Sequence, residues 1–120
     1  MSEVVLLLGL ENPLDRELQR AIQNAHRTVH AYPCLSPEAS RDLIERLCPS
    51  LVFLGGDWRS TRDLLRNASV PVIVVSRQPE ISDWLDAIEA GATDYCAPPF
   101  ESGHISWILE SAEKARAIAA

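Results

Sequence analysis

The stretch Ser50-Leu51-Val52-Phe53-Leu54-Gly55-Gly56 constrains this chain more than any other. Leu51 to Leu54 are apolar and stand between Pro49, which stops a helix, and a glycine pair. A short apolar run between turn signals fits a strand buried on both faces, the usual condition inside a parallel sheet. It sits near the middle of the chain, with strand and helix patterns before and after it. In open α/β sheets the chemistry lies where the carboxyl ends of such strands emerge. Gly55 occupies that place here and offers no side chain.

The flanking patterns complete the layout. Val4 to Leu8 reads as a first buried strand. Asn12 is placed as an N-cap with Pro13 at the first helical position, and Asp15 and Glu17 follow in the first turns. Leu14, Leu18, Ala21, Ile22 and Ala25 recur at helical spacing. Thr28 to Tyr32 is a shorter, more polar strand, expected near an edge. Ser36-Pro37 opens a second helix lined by Ala39, Leu43, Ile44 and Leu47. A polar third helix is predicted from about Ser60 to Asn67, anchored by Leu64 and Leu65. Val70 to Val75 is a fourth strand. A fourth helix follows Pro79, with Ile81, Trp84, Leu85 and Ile88 expected inward and Gly91 at its C-terminus. Asp94-Tyr95-Cys96 is a fifth strand, and a last helix runs from about Ser102 towards Ala119 on Ile105, Ile108, Leu109 and Ala112. Five strands alternating with five helices predict one α/β domain over residues 1–120, a doubly wound parallel sheet with helices on both faces.

Composition excludes several function classes. A net charge of −6 disfavours a nucleic-acid surface, because duplex binding rests on Lys and Arg neutralising phosphates. No run approaches the roughly 18 apolar residues of a membrane span. The start of the chain lacks the basic and long apolar segments of a signal peptide, so the cytoplasm is the expected compartment. Cys34, Cys48 and Cys96 are widely separated, read as free thiols, and lie apart in sequence from His26, His30 and His104. No nucleophile–base pair, metal cluster or phosphate-loop motif is visible, so neither an enzyme nor a cofactor is expected.

At Gly91-Ala92-Thr93-Asp94-Tyr95-Cys96-Ala97-Pro98-Pro99-Phe100 the chain resembles the receiver domain of two-component response regulators, which usually reads G-A-x-D-Y-hydrophobic-x-K-P-F here. Pro71 to Ser76 resembles that family's fourth strand and its terminal Ser or Thr. Pro49 to Leu54 resembles its third strand. The spacing of 22 residues from Ser76 to Pro98 suits the family. The resemblance covers the whole chain and implies a flavodoxin-like (βα)5 fold in phosphorelay signal transduction. It also implies a cis peptide at Pro98–Pro99.

The departures fall on the chemistry. Where the family has its phosphoryl-accepting aspartate, this chain has Gly55. Where it has two acidic residues for Mg²⁺, Gly9 and Leu10 stand, and only Glu11 follows. Where it has its lysine, Pro98 stands. Phosphoryl transfer proceeds by positioning and charge neutralisation, Mg²⁺ takes oxygen ligands, and glycine is no nucleophile. The expectation is a degenerate, pseudo-receiver module that regulates through protein contacts without phosphorylation. It would form part of a longer chain with an output domain.

Two alternatives stay open. Asp57 lies two residues beyond the acceptor position and could substitute for it, although about 6–7 Å further along an extended chain. Gly9, Gly55, Gly56, Ser76 and Arg77 could instead hold a small ligand or anion. Ser76 and Tyr95 match the hydroxyl and aromatic pair that switches in active receivers; a static role in loop and helix packing is the plainer assignment. On the last helix His104, Trp107, Ser111, Lys114 and Ile118 fall opposite the core positions. Trp107 there is a candidate dimerisation anchor on the face made by the fourth helix, fifth strand and last helix.

Overall fold

In the computed structural model, which describes residues 3–26, 28–35, 40–55, 70–77 and 81–119, the five apolar runs form five parallel strands of one sheet. The strands are β1 (Glu3–Leu8), β2 (Val29–Cys34), β3 (Leu51–Leu54), β4 (Val72–Val75) and β5 (Asp94–Cys96), in the order β2-β1-β3-β4-β5. The helices described are α1 (Leu14–Ala25), α2 (Ser40–Leu47), α3 (Ile81–Ala90) and α4 (Ser102–Ala119). Thus α3 is the fourth helix expected from sequence and α4 the last. The expected helix over 60–67 and the Ser36-Pro37 start of α2 lie outside the described residues.

Strand period explains the two-sided core. Val5, Leu7, Leu51, Phe53, Ile73, Val75 and Cys96 point to one face and meet Leu14, Leu18 and Ile22 of α1 and Ile105, Ile108, Leu109 and Ala112 of α4. Leu6, Leu8, Val52, Leu54, Val72, Val74 and Tyr95 point to the other, against Ala87 of α3 and the partly buried Leu43 and Ile44 of α2. The central strands have no solvent face, as a parallel sheet covered on both sides requires. The more polar β2 is at an edge, as expected.

Two local expectations are corrected. Helix α1 begins at Leu14 with Pro13, not Asn12, as its N-cap, and no side chain caps it. Its ladder opens with Asp15 N–H donating to the Glu11 carbonyl and Glu17 N–H to that of Pro13, one residue later than the proline rule suggests. In α3, Leu85 and Ile88 were expected inward but are 56% and 41% exposed, while Ala87 is fully buried. At about 100° per residue, a helix that turns position 87 to the sheet must turn 85 and 88 away from it. The small Ala87 side chain lets the helix sit close, beside the bulk of Tyr95 in the same cluster. The side chains of Ile81 and Trp84 lie outside the described residues. Gly91 closes α3 with φ +117, a left-handed conformation that suits glycine.

Candidate functional site

The order β2-β1-β3-β4-β5 reverses direction between β1 and β3, and ligands of such sheets bind at the strand carboxyl ends beside that point. The residues that emerge there are Gly9 after β1, Gly55 after β3, Ser76 after β4 and Pro98 beyond β5. The fold therefore brings together the positions singled out from the sequence. Gly56 and Asp57 lie outside the described residues, as does the side chain of Ile118.

Backbone groups at these ends are already paired. Gly9 N–H donates to the Cys34 carbonyl at 2.8 Å, Gly55 N–H to the Leu8 carbonyl at 2.9 Å, and Ser76 N–H to the Cys96 carbonyl at 3.1 Å. These three amides thus extend the sheet's ladder and do not face a ligand. That removes three donors from the anion-cradle alternative, and exposed Arg77 is the cation left to it among the described residues. Gly9 has φ +72, and a Cβ built on it would lie 3.1 Å from the Gly55 carbonyl oxygen. Both facts require glycine at position 9.

Leu10 decides the shape of the site. It is only 2% exposed and joins the core cluster that holds Leu14, Leu18 and Phe53. A Cβ added at Gly55 would run into its Cδ2 and lie 3.2 Å from its Cγ and 3.4 Å from the Gly9 carbonyl oxygen. An apolar side chain therefore occupies the space into which a side chain at position 55 would extend. Glu11 is exposed. Among the described residues no group of three or more His, Cys, Asp or Glu could hold a metal ion. A divalent cation needs oxygen donors; Gly9, Leu10 and Gly55 present none from their side chains, so these positions do not fit Mg²⁺. Sequence reasoning missed Leu10 as an occupant. The signal was available, since a large apolar residue between Gly9 and Glu11 in a loop needs somewhere to be buried.

On the far side of the site, Pro98 is half-buried and Pro98–Pro99 is cis, as the resemblance implied. Tyr95 is buried against the α3 side, and its phenol oxygen has no hydrogen-bond partner among the described residues. An orphaned buried hydroxyl costs about 1–3 kcal/mol. Tyr95→Phe is accordingly expected to leave stability unchanged or raise it by about 1 kcal/mol, read from the urea midpoint. A drop of that size would show that the hydroxyl has a partner.

Asp94 ties β5 to its surroundings. Its Oδ1 accepts the Tyr95 N–H at 2.7 Å, and its Oδ2 lies 3.8 Å from Nε2 of His104 on α4. Burial, with a smaller contribution from the Asp94 charge, pushes the Cys96 thiol up to about 12. On the outer face of α4, Trp107 is 59% exposed while Ile105, Ile108, Leu109 and Ala112 are buried, as the helical spacing predicted. Among the described residues no helix is long and apolar enough to cross a membrane.

No protein-family model matches the chain. It is 33% identical over 109 residues to the KDP operon transcriptional regulatory protein KdpE of Escherichia coli K12, a match covering 84% of this chain and 47% of that protein. The chain thus spans about half the length of this curated relative. Among solved structures it resembles the signal receiver domain of a DNA-binding response regulator from Colwellia psychrerythraea 34H, with a TM-score of 0.78, 13% identity, and coverage of 94% of this chain and 99% of that one. It likewise resembles a response regulator from Thermotoga maritima, with a TM-score of 0.74, 18% identity, and coverage of 93% and 98%. The strand order, the Gly91 to Phe100 segment and these likenesses agree on the fold.

Proposed function

We propose that this chain, a response-regulator receiver domain of the two-component kind, regulates through protein contacts without accepting a phosphoryl group, and has no enzymatic activity of its own. The observation that carries this reading is the pairing of Gly55 with Leu10: the acceptor position has no side chain, and the space beside it is filled by carbon. Stabilising a transferring phosphoryl group takes oxygen ligands and cations, and Gly9, Leu10 and Pro98 supply neither from their side chains. The test is intact-protein mass after incubation with acetyl phosphate and Mg²⁺. No adduct is expected. A phosphoryl adduct that disappears in Asp57→Ala would overturn the proposal and make Asp57 the acceptor.

The contact surface we assign is the side of the sheet formed by α3, β5 and α4. Leu85 and Ile88 on α3 and Trp107 on α4 are large apolar side chains exposed on these helices, and His104 of α4 stands 3.8 Å from Asp94 of β5. Tryptophan is the residue most enriched at interface hot spots. The partner is a second copy of the domain or an output domain, since KdpE extends well beyond the matched region. Trp107→Ala is expected to leave the urea midpoint within about 0.5 kcal/mol of the parent, because the side chain is mostly exposed. It should also shift any dimer seen by light scattering towards monomer. Unchanged self-association in Trp107→Ala would exclude this face for the homodimer.

A further inference from the structure

At the other end of the sheet from Gly9 and Gly55, a cleft of about 80 Å³ opens between β3, β4 and the middle of α4. Leu51, Ile73, Ile108 and Ala112 line it, all of them buried, and Pro71 and the exposed Trp107 border it. Thr93, Asp94 and Ser111 also border it, yet almost all of its exposed wall is carbon.

We infer that this cleft is a binding site for a small uncharged apolar molecule, a compact group of about four carbons. The wall decides the class of ligand. Water needs two to four polar partners to occupy a cavity stably, and this wall does not provide them. A charged group would be desolvated there without compensation. Size follows from volume: an apolar cavity of about 150 Å³ stays dry and takes benzene or xenon. This cleft is about half as large, so xenon or a branched four-carbon group fills it without rearrangement. The cleft is open on the side of Pro71 and Trp107, and an occupant adds contacts to its inner wall of Leu51, Ile73 and Ile108. Trp107 is the flanking residue free to move, because it projects mostly into solvent. The inference goes beyond the regulatory reading and does not rest on the Gly55 site, which lies at the opposite strand ends; Trp107 alone belongs to both the cleft and the proposed contact face.

The experiment is methyl-resolved NMR of the whole chain titrated with xenon, with isobutanol and with isobutylammonium. Ile73 and Ile108 methyl signals are expected to shift saturably with the first two. The ammonium compound should bind at least tenfold more weakly. Ala112→Val, which adds two methyl groups to the wall, should weaken xenon and isobutanol at least tenfold. Trp107→Ala, a surface change that keeps the fold, should widen the mouth and admit benzene as well. Absence of any shift at these methyls would overturn the proposal, as would shifts that persist unchanged in Ala112→Val. Methyl signals that move with protein concentration alone would assign the cleft to a side chain of a second copy and equally overturn it.

Discussion

Gly55→Asp, the change that would restore the receiver's acceptor residue, is expected to destabilise the fold and still yield no phosphoryl adduct. The new Cβ meets Leu10, which is buried and cannot step into solvent without giving up its place beside Leu14 and Leu18. Overpacking of this kind costs about 1–3 kcal/mol. The carboxylate adds a desolvation penalty on top, because position 55 is buried. Gly55→Ala separates the two terms, since it carries the steric conflict without the charge. Leu10→Ala alone should cost about 2–5 kcal/mol through the cavity it leaves. The double change Leu10→Ala with Gly55→Asp should be less destabilised than the two single effects added, by about 1 kcal/mol or more, because the pair share one space. Urea unfolding of the four proteins measures this coupling. Strict additivity would mean that Leu10 does not fill the site.

Alkaline pH should weaken the fold through Cys96. Its thiol is held protonated to about 12, against an ordinary value of 9.0 that applies once the chain unfolds. Between those two values the unfolded chain has lost the proton while the folded chain keeps it. The folded state then binds more protons, so stability falls as pH rises. The loss is absent below about pH 9, grows by up to about 1.4 kcal/mol per unit above it, and reaches about 4 kcal/mol near pH 12. Cys96→Ala should flatten this part of the profile relative to the parent. All other ionisable groups are common to both proteins, so the difference between the two curves isolates the thiol. Native Cys96 should also resist alkylation at pH 8 while the exposed Cys48 reacts. Parallel curves for the two proteins would show that Cys96 ionises in the folded state as freely as in the unfolded one.

Much of the fold was legible in the chain because burial on both faces leaves a simple record. Val4 to Leu8, Leu51 to Leu54 and Val72 to Val75 are unbroken apolar runs, and all three became strands, with every residue but the partly exposed Val4 inside. The helical spacing of α1 and α4 named their buried faces correctly, since each helix lies on the sheet along one continuous stripe. The spacing of α3 did not. Leu85 and Ile88 are as apolar as any core residue, and periodicity alone cannot tell an inward stripe from an outward one when a small residue such as Ala87 lies between. Contact with Tyr95 and the sheet settled the rotation.

The candidate site divides the same way. That Gly9, Gly55, Ser76 and Pro98 gather at one end of the sheet follows from the parallel strand direction that alternating strands and helices impose, whereas the strand order itself was set by the packed fold. The chemistry missing from their side chains is equally a matter of residue identity. Which groups remain free was decided only in three dimensions. The Gly9, Gly55 and Ser76 amides are used by neighbouring strands, and Leu10 lies over Gly55 because the β1–α1 loop folds inward to bury it. The cleft beside Trp107 likewise arises where β3, β4 and α4, far apart in the chain, meet without quite filling the space between them. Local sequence carries period and propensity; the pairing of remote surfaces and the space left over between them belong to the packed molecule.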